Sequence, residues 1–172
     1  MPVQDTAASG RLEQGIFRAS RAWAVAGGLV LTTVMLMTVA SVLMRAFIGR
    51  PILGDYELVE MGSAIAAFSF LPYCQQARGN VVVDIFTQRA PPRVNAALAA
   101  LGSLLLTAIA LVLLWRMSLG GYDFYRYHEQ TTNLGIPRWW AFPPILVSLV
   151  LLALVSATSF ARDAGQALAH RS

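Results

Sequence analysis

The chain contains no lysine; all 13 of its basic residues are arginines. Charge of either sign is scarce, 13% of residues against roughly a quarter in ordinary globular domains. A protein of 172 residues has much surface for its volume, and in water that surface has to be covered by polar groups. The shortage excludes an ordinary water-soluble domain and points to lipid as the solvent. The net charge of +4 does not indicate a nucleic-acid partner either. A nucleic-acid surface gathers its cations on one polar face, whereas these arginines stand at the ends of apolar runs, where side chains meet lipid headgroups.

Cysteine and histidine are nearly absent. Cys74 stands alone, so no internal disulfide exists, and a small buried thiol is the expected role. The two histidines, His128 and His170, fall outside every apolar run. A pair of embedded haem ligands is therefore excluded, as is a metal site built from Cys and His. No glycine-rich phosphate loop leads into a helix, and no Ser-His-Asp set can be assembled. The expectation is a protein with no catalytic residues, no metal and no cofactor of its own, hence not an enzyme.

What the chain does have is apolar length, 56% of its residues being hydrophobic. Residues 22–44 form a run with no ionisable side chain. A secretory signal core takes about 7–15 residues and a membrane crossing about 20, so this run reads as a retained first membrane helix. Leu12, Ile16 and Phe17 lie at helical spacing before it and predict a short surface helix as a lead-in. A connection punctuated by Gly49, Pro51 and Gly54 leads to a second helix over 56–76, which opens on Asp55, Glu57 and Glu60. Acids there suit the positive end of a helix dipole, and Pro72 is expected to kink or thin the last turn.

Residues 78–93 are too short and too polar to cross. Val82, Ile85, Phe86 and Arg89 share one helical face, which predicts a short helix lying in the headgroup plane, ended by Pro91 and Pro92. A third helix over 94–117 and a polar, aromatic loop over 122–135 follow. The fourth helix begins near Pro137 or, since Pro143 and Pro144 disturb its first turns, at Phe142, and ends around Phe160. Trp139 and Trp140 mark its interfacial end. The expected fold is an all-α membrane protein of four transmembrane helices with a short interfacial helix between helices two and three. Residues 1–21 form an N-terminal segment, 22–161 the membrane domain and 162–172 a tail.

Four crossings place both termini on one side, with eight arginines there (11, 18, 21, 78, 89, 93, 162 and 171) against five opposite (45, 50, 116, 126 and 138). The positive-inside rule then makes both termini cytoplasmic. The central thirds of the four helices hold no Asp, Glu, Lys or Arg. A carrier that moves ions or polar solutes by itself usually keeps such groups at the midplane. Glu57 and Glu60, three apart, come closest; they either sit wet at the interface or face another subunit. Small residues four apart (Gly62 with Ala66, Ala96 with Ala100, Ala99 with Ser103) suit close helix packing, with the partner helix inside or outside the chain left open.

From Arg45 the chain reads Arg-Ala-Phe-Ile-Gly-Arg-Pro-Ile-Leu-Gly-Asp-Tyr-Glu-Leu-Val-Glu. Later come Phe-Leu-Pro-Tyr-Cys-Gln-Gln-Ala-Arg-Gly-Asn-Val-Val-Val-Asp and Thr132-Asn133-Leu134-Gly135-Ile136-Pro137-Arg138-Trp139. In this order on a four-helix frame, these segments resemble the small membrane subunit of tripartite ATP-independent periplasmic (TRAP) transporters, from about Trp23 to Phe160. The family pattern falls on Arg45, Gly54, Glu57, Leu58, Leu71, Pro72, Tyr73, Gln75, Gly79, Val81, Val83 and Asp84. Pro143-Pro144 departs from it. The resemblance implies an accessory subunit in the bacterial inner membrane, surrounded by membrane lipid. Its partners would be a large permease subunit, which uses the sodium gradient, and a periplasmic solute-binding protein delivering an organic acid. Arg45, Glu57, Glu60, Pro72, Tyr73, Gln75, Gly79 and Asp84 are then the candidates for contact with a partner. The rival reading is a membrane anchor or assembly subunit of another complex.

Overall fold

The computed structural model describes the backbone at residues 4–77 and 92–169, with side chains at 14–77, 98 and 101–161. It is all-helical. Four long helices, α1 (Gln4–Ile48), α2 (Asp55–Gln76), α3 (Pro92–Arg126) and α4 (Phe142–Ala169), are joined in part by a 3₁₀ turn at Arg138–Ala141. Three stretches are long and apolar enough to cross a membrane: Gln14–Ile48 in α1, Leu101–Arg126 in α3, and Arg138–Ala161, which joins the 3₁₀ turn to α4. In α2, Glu60, Ser63, Ser69, Pro72 and Gly62 dilute the apolar content. The interfacial helix expected over 78–93 lies almost wholly outside the described residues, and with it Gly79 and Asp84.

α1 is one unbroken helix of 45 residues, about 68 Å at 1.5 Å per residue. The lead-in is therefore not a separate surface helix. No proline interrupts residues 4–48, and the Ala, Gln, Glu, Leu and Arg of the first turns all favour helix. α3 also runs longer than its apolar run, taking in Tyr122 to Arg126, which had read as loop. Tertiary contact holds this extension: Phe124 meets Phe142 at 5.3 Å between ring centroids, and Tyr125 meets Trp139 edge-on at 5.6 Å. Gly121 makes room for the Phe142 ring, which would lie 3.0 Å from a Cβ at that position. α4 starts at Phe142, so Pro143 and Pro144 occupy its first turn, where backbone N–H groups have no helical acceptor to lose.

α2 and α4 occupy the middle, with α1 packed on α2 and α3 on α4. The two seams differ in kind. Between α3 and α4 the core is branched and apolar: Ala110, Ile145, Leu149 and Leu152 are buried, with Leu106, Leu113 and Met117 against them. Between α1 and α2 the core is small. Among the buried or half-buried positions of α1, Ile16, Ser20, Trp23, Gly27, Val30, Val34, Met37 and Ser41 are spaced alternately by four and three, with Ala24 and Gly28 half-buried beside them. That is a heptad seam. Opposite lie Gly62, Ala66 and Ser69, all buried. A Cβ on Gly27 would fall 2.6 Å from Ser69 Cβ, and one on Gly62 2.4 Å from Val34 Cγ2. The partner of the Gly62–Ala66 pair is thus a helix of the same chain. α1 and α4 are also tied directly, Trp23 Nε1 donating to Ser148 Oγ at 2.8 Å.

Hydroxyls within the helices donate back to carbonyls one turn earlier, Thr32 to Gly28, Thr38 to Val34 and Ser69 to Ile65 among them. Such back-bonding lets a polar side chain sit in hydrocarbon without a stranded donor. Large apolar side chains face outward on the two flanking helices: Leu29, Met35 and Val42 on α1, Leu101, Leu105 and Trp115 on α3. Cys74, expected to be buried, is exposed on α2, while Pro72 two positions earlier is fully buried. Two residues along a helix turn the side chain by about 200°, so one of this pair had to face outward.

Candidate functional site

One end of the bundle gathers the last turn of α1, the first of α2, the end of α3 and the approach to α4. Most of the polar geometry described for this chain is there. α1 stops at Gly49, whose N–H bonds the Arg45 carbonyl at 3.1 Å with a left-handed φ of 76°. Ser41, buried in the last turns of α1, donates to Asp55 Oδ2 at 2.7 Å and accepts the Ile52 N–H at 3.2 Å. One hydroxyl thus fastens the connection and the start of α2 onto α1.

Gly54 precedes α2 in the left-handed conformation, φ 76°, and has a second reason to be glycine: a Cβ there would stand 2.3 Å from Leu134 Cγ. Leu134 belongs to a short loop folded on Thr131. The Thr131 N–H bonds the Ile136 carbonyl at 2.9 Å, its Oγ1 accepts the Ile136 N–H at 3.0 Å, and its carbonyl accepts the Gly135 N–H at 3.1 Å. At Gly135 φ is 65°, which turns the chain back towards Pro137.

The carboxylate of Glu57 joins these two segments. Oε1 accepts the Asn133 backbone N–H at 2.7 Å and the Asn133 Nδ2 at 3.1 Å; Oε2 accepts the Leu134 N–H at 3.1 Å. All three partners are donors, and a carboxylate offers acceptor sites on both oxygens, so the match is complete. Glu57 is 8% exposed and lies under the loop, whose Asn133 and Leu134 form the outer surface. The Gly54-x-x-Glu57 and Thr132-Asn133-Leu134-Gly135 motifs, read as separate resemblances 76 residues apart, are two halves of one clamp.

The pair of acids therefore divides. Glu57 turns inward and is used within the chain, while Glu60, one turn on, is exposed on α2. Arg45 is exposed in the last turn of α1. Pro72 is buried, and Tyr73 is half-buried with its ring 6.3 Å from that of Phe17. Gln75 is half-buried and holds a partner. Glu57 lies at the gathered end together with Arg45; Tyr73 and Gln75 lie at the far end of α2. Sequence reasoning missed Asn133 and Ser41 as structural partners, although the Asn-Leu-Gly turn signal was visible. No group of three or more His, Cys, Asp or Glu that could hold a metal occurs among the described residues.

Three of the helical stretches are apolar enough to cross a membrane, and Ser41, Asp55, Glu57 and Trp23 tie the elements together. This is the architecture of a multi-pass membrane component. The family model of the tripartite ATP-independent periplasmic transporters, DctQ component, matches residues 34–166. The chain belongs to that family: it is the small permease component of a TRAP transporter, a multi-pass protein of the inner membrane. A tripartite transporter implies a large permease and a solute-binding protein as its partners. No curated protein and no solved structure was found to match the chain.

Proposed function

We propose that this chain is the accessory subunit of a secondary-active importer of a small organic acid. It scaffolds the large permease subunit and helps dock the periplasmic solute-binding protein. The observation that carries this reading is the division of labour in the bundle. Glu57 is consumed by an internal clamp, no Asp, Glu, Lys or Arg lies in the central third of any of the four apolar runs, and the outward faces of α1 and α3 are large and apolar. Such a body offers surfaces to lipid and to partner helices and nothing to a translocated ion. The coupling sodium is accordingly handled by the large partner.

In this reading α2 is the fourth crossing. Its 22 residues reach about 33 Å, enough for a hydrocarbon core of about 30 Å. It runs antiparallel to α1, since Phe17 meets Tyr73 at one end and Ser41 meets Asp55 at the other. Both termini are cytoplasmic by the arginine bias, and the gathered end, with exposed Tyr122, Tyr125, Tyr127 and Trp140, faces the periplasm where the binding protein arrives. Reconstitution tests the proposal. Liposomes holding this chain alone, under sodium and proton gradients, take up no organic acid, while liposomes holding both membrane subunits and supplied with the binding protein do. Saturable, gradient-driven uptake by this chain alone would overturn it.

A further inference from the structure

Beside the clamp, on the outer side of the α1–α2 connection, lies an open cleft of about 170 Å³. Arg45 and Asp55 line it together, with Ser41, Tyr56, Val42 and Val59. The two charged groups do not pair with each other. Arg45 makes no side-chain hydrogen bond or ion pair among the described residues. Asp55 is steadied by Ser41 on one oxygen and by the Tyr56 N–H, at 2.8 Å, on the other. Each carboxylate oxygen keeps a free lone-pair site. A cation and an anion are thus held apart in one cleft in the last turn of α1 and the first of α2, where membrane helices meet headgroups.

We infer that this cleft binds the headgroup of a zwitterionic phospholipid with a primary ammonium, its phosphate on Arg45 and its ammonium on Asp55. The guanidinium fork matches phosphate oxygens, and the carboxylate accepts N–H donors. A purely anionic headgroup would meet the Asp55 charge, and a purely cationic ligand the Arg45 charge; only a ligand with both signs satisfies both walls. The surroundings select a lipid over a soluble zwitterion. Val42 is 61% exposed and continues into Val39 and Met35 at helical spacing, an apolar strip along which an acyl chain can lie. Tyr56, 78% exposed, stands at the mouth, where an aromatic ring with a hydroxyl is at home in the interface.

The test uses the full chain, purified in detergent, stripped of lipid and given equal amounts of phosphatidylethanolamine and phosphatidylglycerol of the same acyl composition, with retained lipid read by native mass spectrometry. The wild type retains phosphatidylethanolamine about two- to fivefold over phosphatidylglycerol, the factor expected for one partly exposed ion pair. Asp55→Asn, which keeps an acceptor for the Tyr56 N–H, removes or reverses that preference. Arg45→Gln lowers retention of both lipids, and because the Arg45 side chain holds no internal bond among the described residues, the variant's circular dichroism matches the wild type. Free glycerophosphoethanolamine at equal concentration displaces little lipid. Equal retention of the two lipids by the wild type, undiminished retention by Arg45→Gln, or full displacement by the free headgroup would each overturn the assignment. So would expulsion of the lipid on adding the large permease subunit, which would give the cleft to a protein partner.

Discussion

Adding one methyl group at Gly62 separates two effects of opposite sign. Alanine is a better helix residue than glycine by roughly 0.5–1 kcal/mol, so Gly62→Ala on an isolated helix would stabilise. In this bundle the new Cβ would lie 2.4 Å from Val34 Cγ2. Carbon atoms rest at about 3.5–4.0 Å, so α1 and α2 must separate by about 1 Å or repack, at a cost of about 1–3 kcal/mol. The expected net result is destabilisation of up to about 2 kcal/mol. Gly102→Ala on α3 is the control, since a Cβ there meets nothing within 4 Å; it should stabilise by the propensity term alone. Val34→Ala removes the clashing methyl and leaves Val30 Cγ1 and Val34 Cβ at 3.7 Å, ordinary contact distance. The double variant Val34→Ala/Gly62→Ala should therefore recover about 1–3 kcal/mol relative to the sum of the single variants. Reversible unfolding in mixed micelles, followed by circular dichroism, measures all four corners of the cycle. Additivity within about 0.5 kcal/mol, or equal effects of Gly62→Ala and Gly102→Ala, would refute the close α1–α2 seam.

Three further outcomes follow from the same geometry. Glu57→Gln turns an amide N–H towards the Asn133 or Leu134 N–H, donor against donor, and lowers the thermal unfolding midpoint of the purified chain well beyond any change from Glu13→Ala. Glu60→Ala leaves that midpoint unchanged, because Glu60 is exposed, yet reduces co-purification with the large permease subunit; wild-type co-purification would remove α2 from the proposed interface. Reporter fusions at Ser172 and after Glu129 report cytoplasm and periplasm respectively, and the opposite pattern would reverse every statement about docking.

What the sequence made readable was governed by solvent. The apolar runs located three helices, the acids at 55–60 marked the start of α2, and Pro143-Pro144 pointed to Phe142 as the first residue of α4. What escaped was governed by contact. Tyr122 to Arg126 is polar enough to read as loop, and becomes helix because Phe124 and Tyr125 find Phe142 and Trp139. The heptad on α1 was hidden because its seam is built from Ser20, Gly27 and Ser41, residues no hydrophobic pattern registers. Cys74 was assigned inward on the habits of cysteine in water, a preference that weakens where the outside is as apolar as the inside. The Glu57 clamp needed a contact across 76 positions, although each of its motifs was in view.

The clamp also sets an order of events in biosynthesis. Glu57 emerges from the ribosome 77 residues before the last of its partners, Leu134. At about 5–20 residues per second, its carboxylate waits roughly 4–15 s without the N–H donors it will accept from. During that interval α1 and α2 can already zip along their small-residue seam, since both are complete. α4 follows the Asn133 turn in the chain and so is made only after the clamp's donors are. The first hairpin can therefore meet before the last helix exists, and the clamp on Glu57 is completed only once Asn133 and Leu134 have been made.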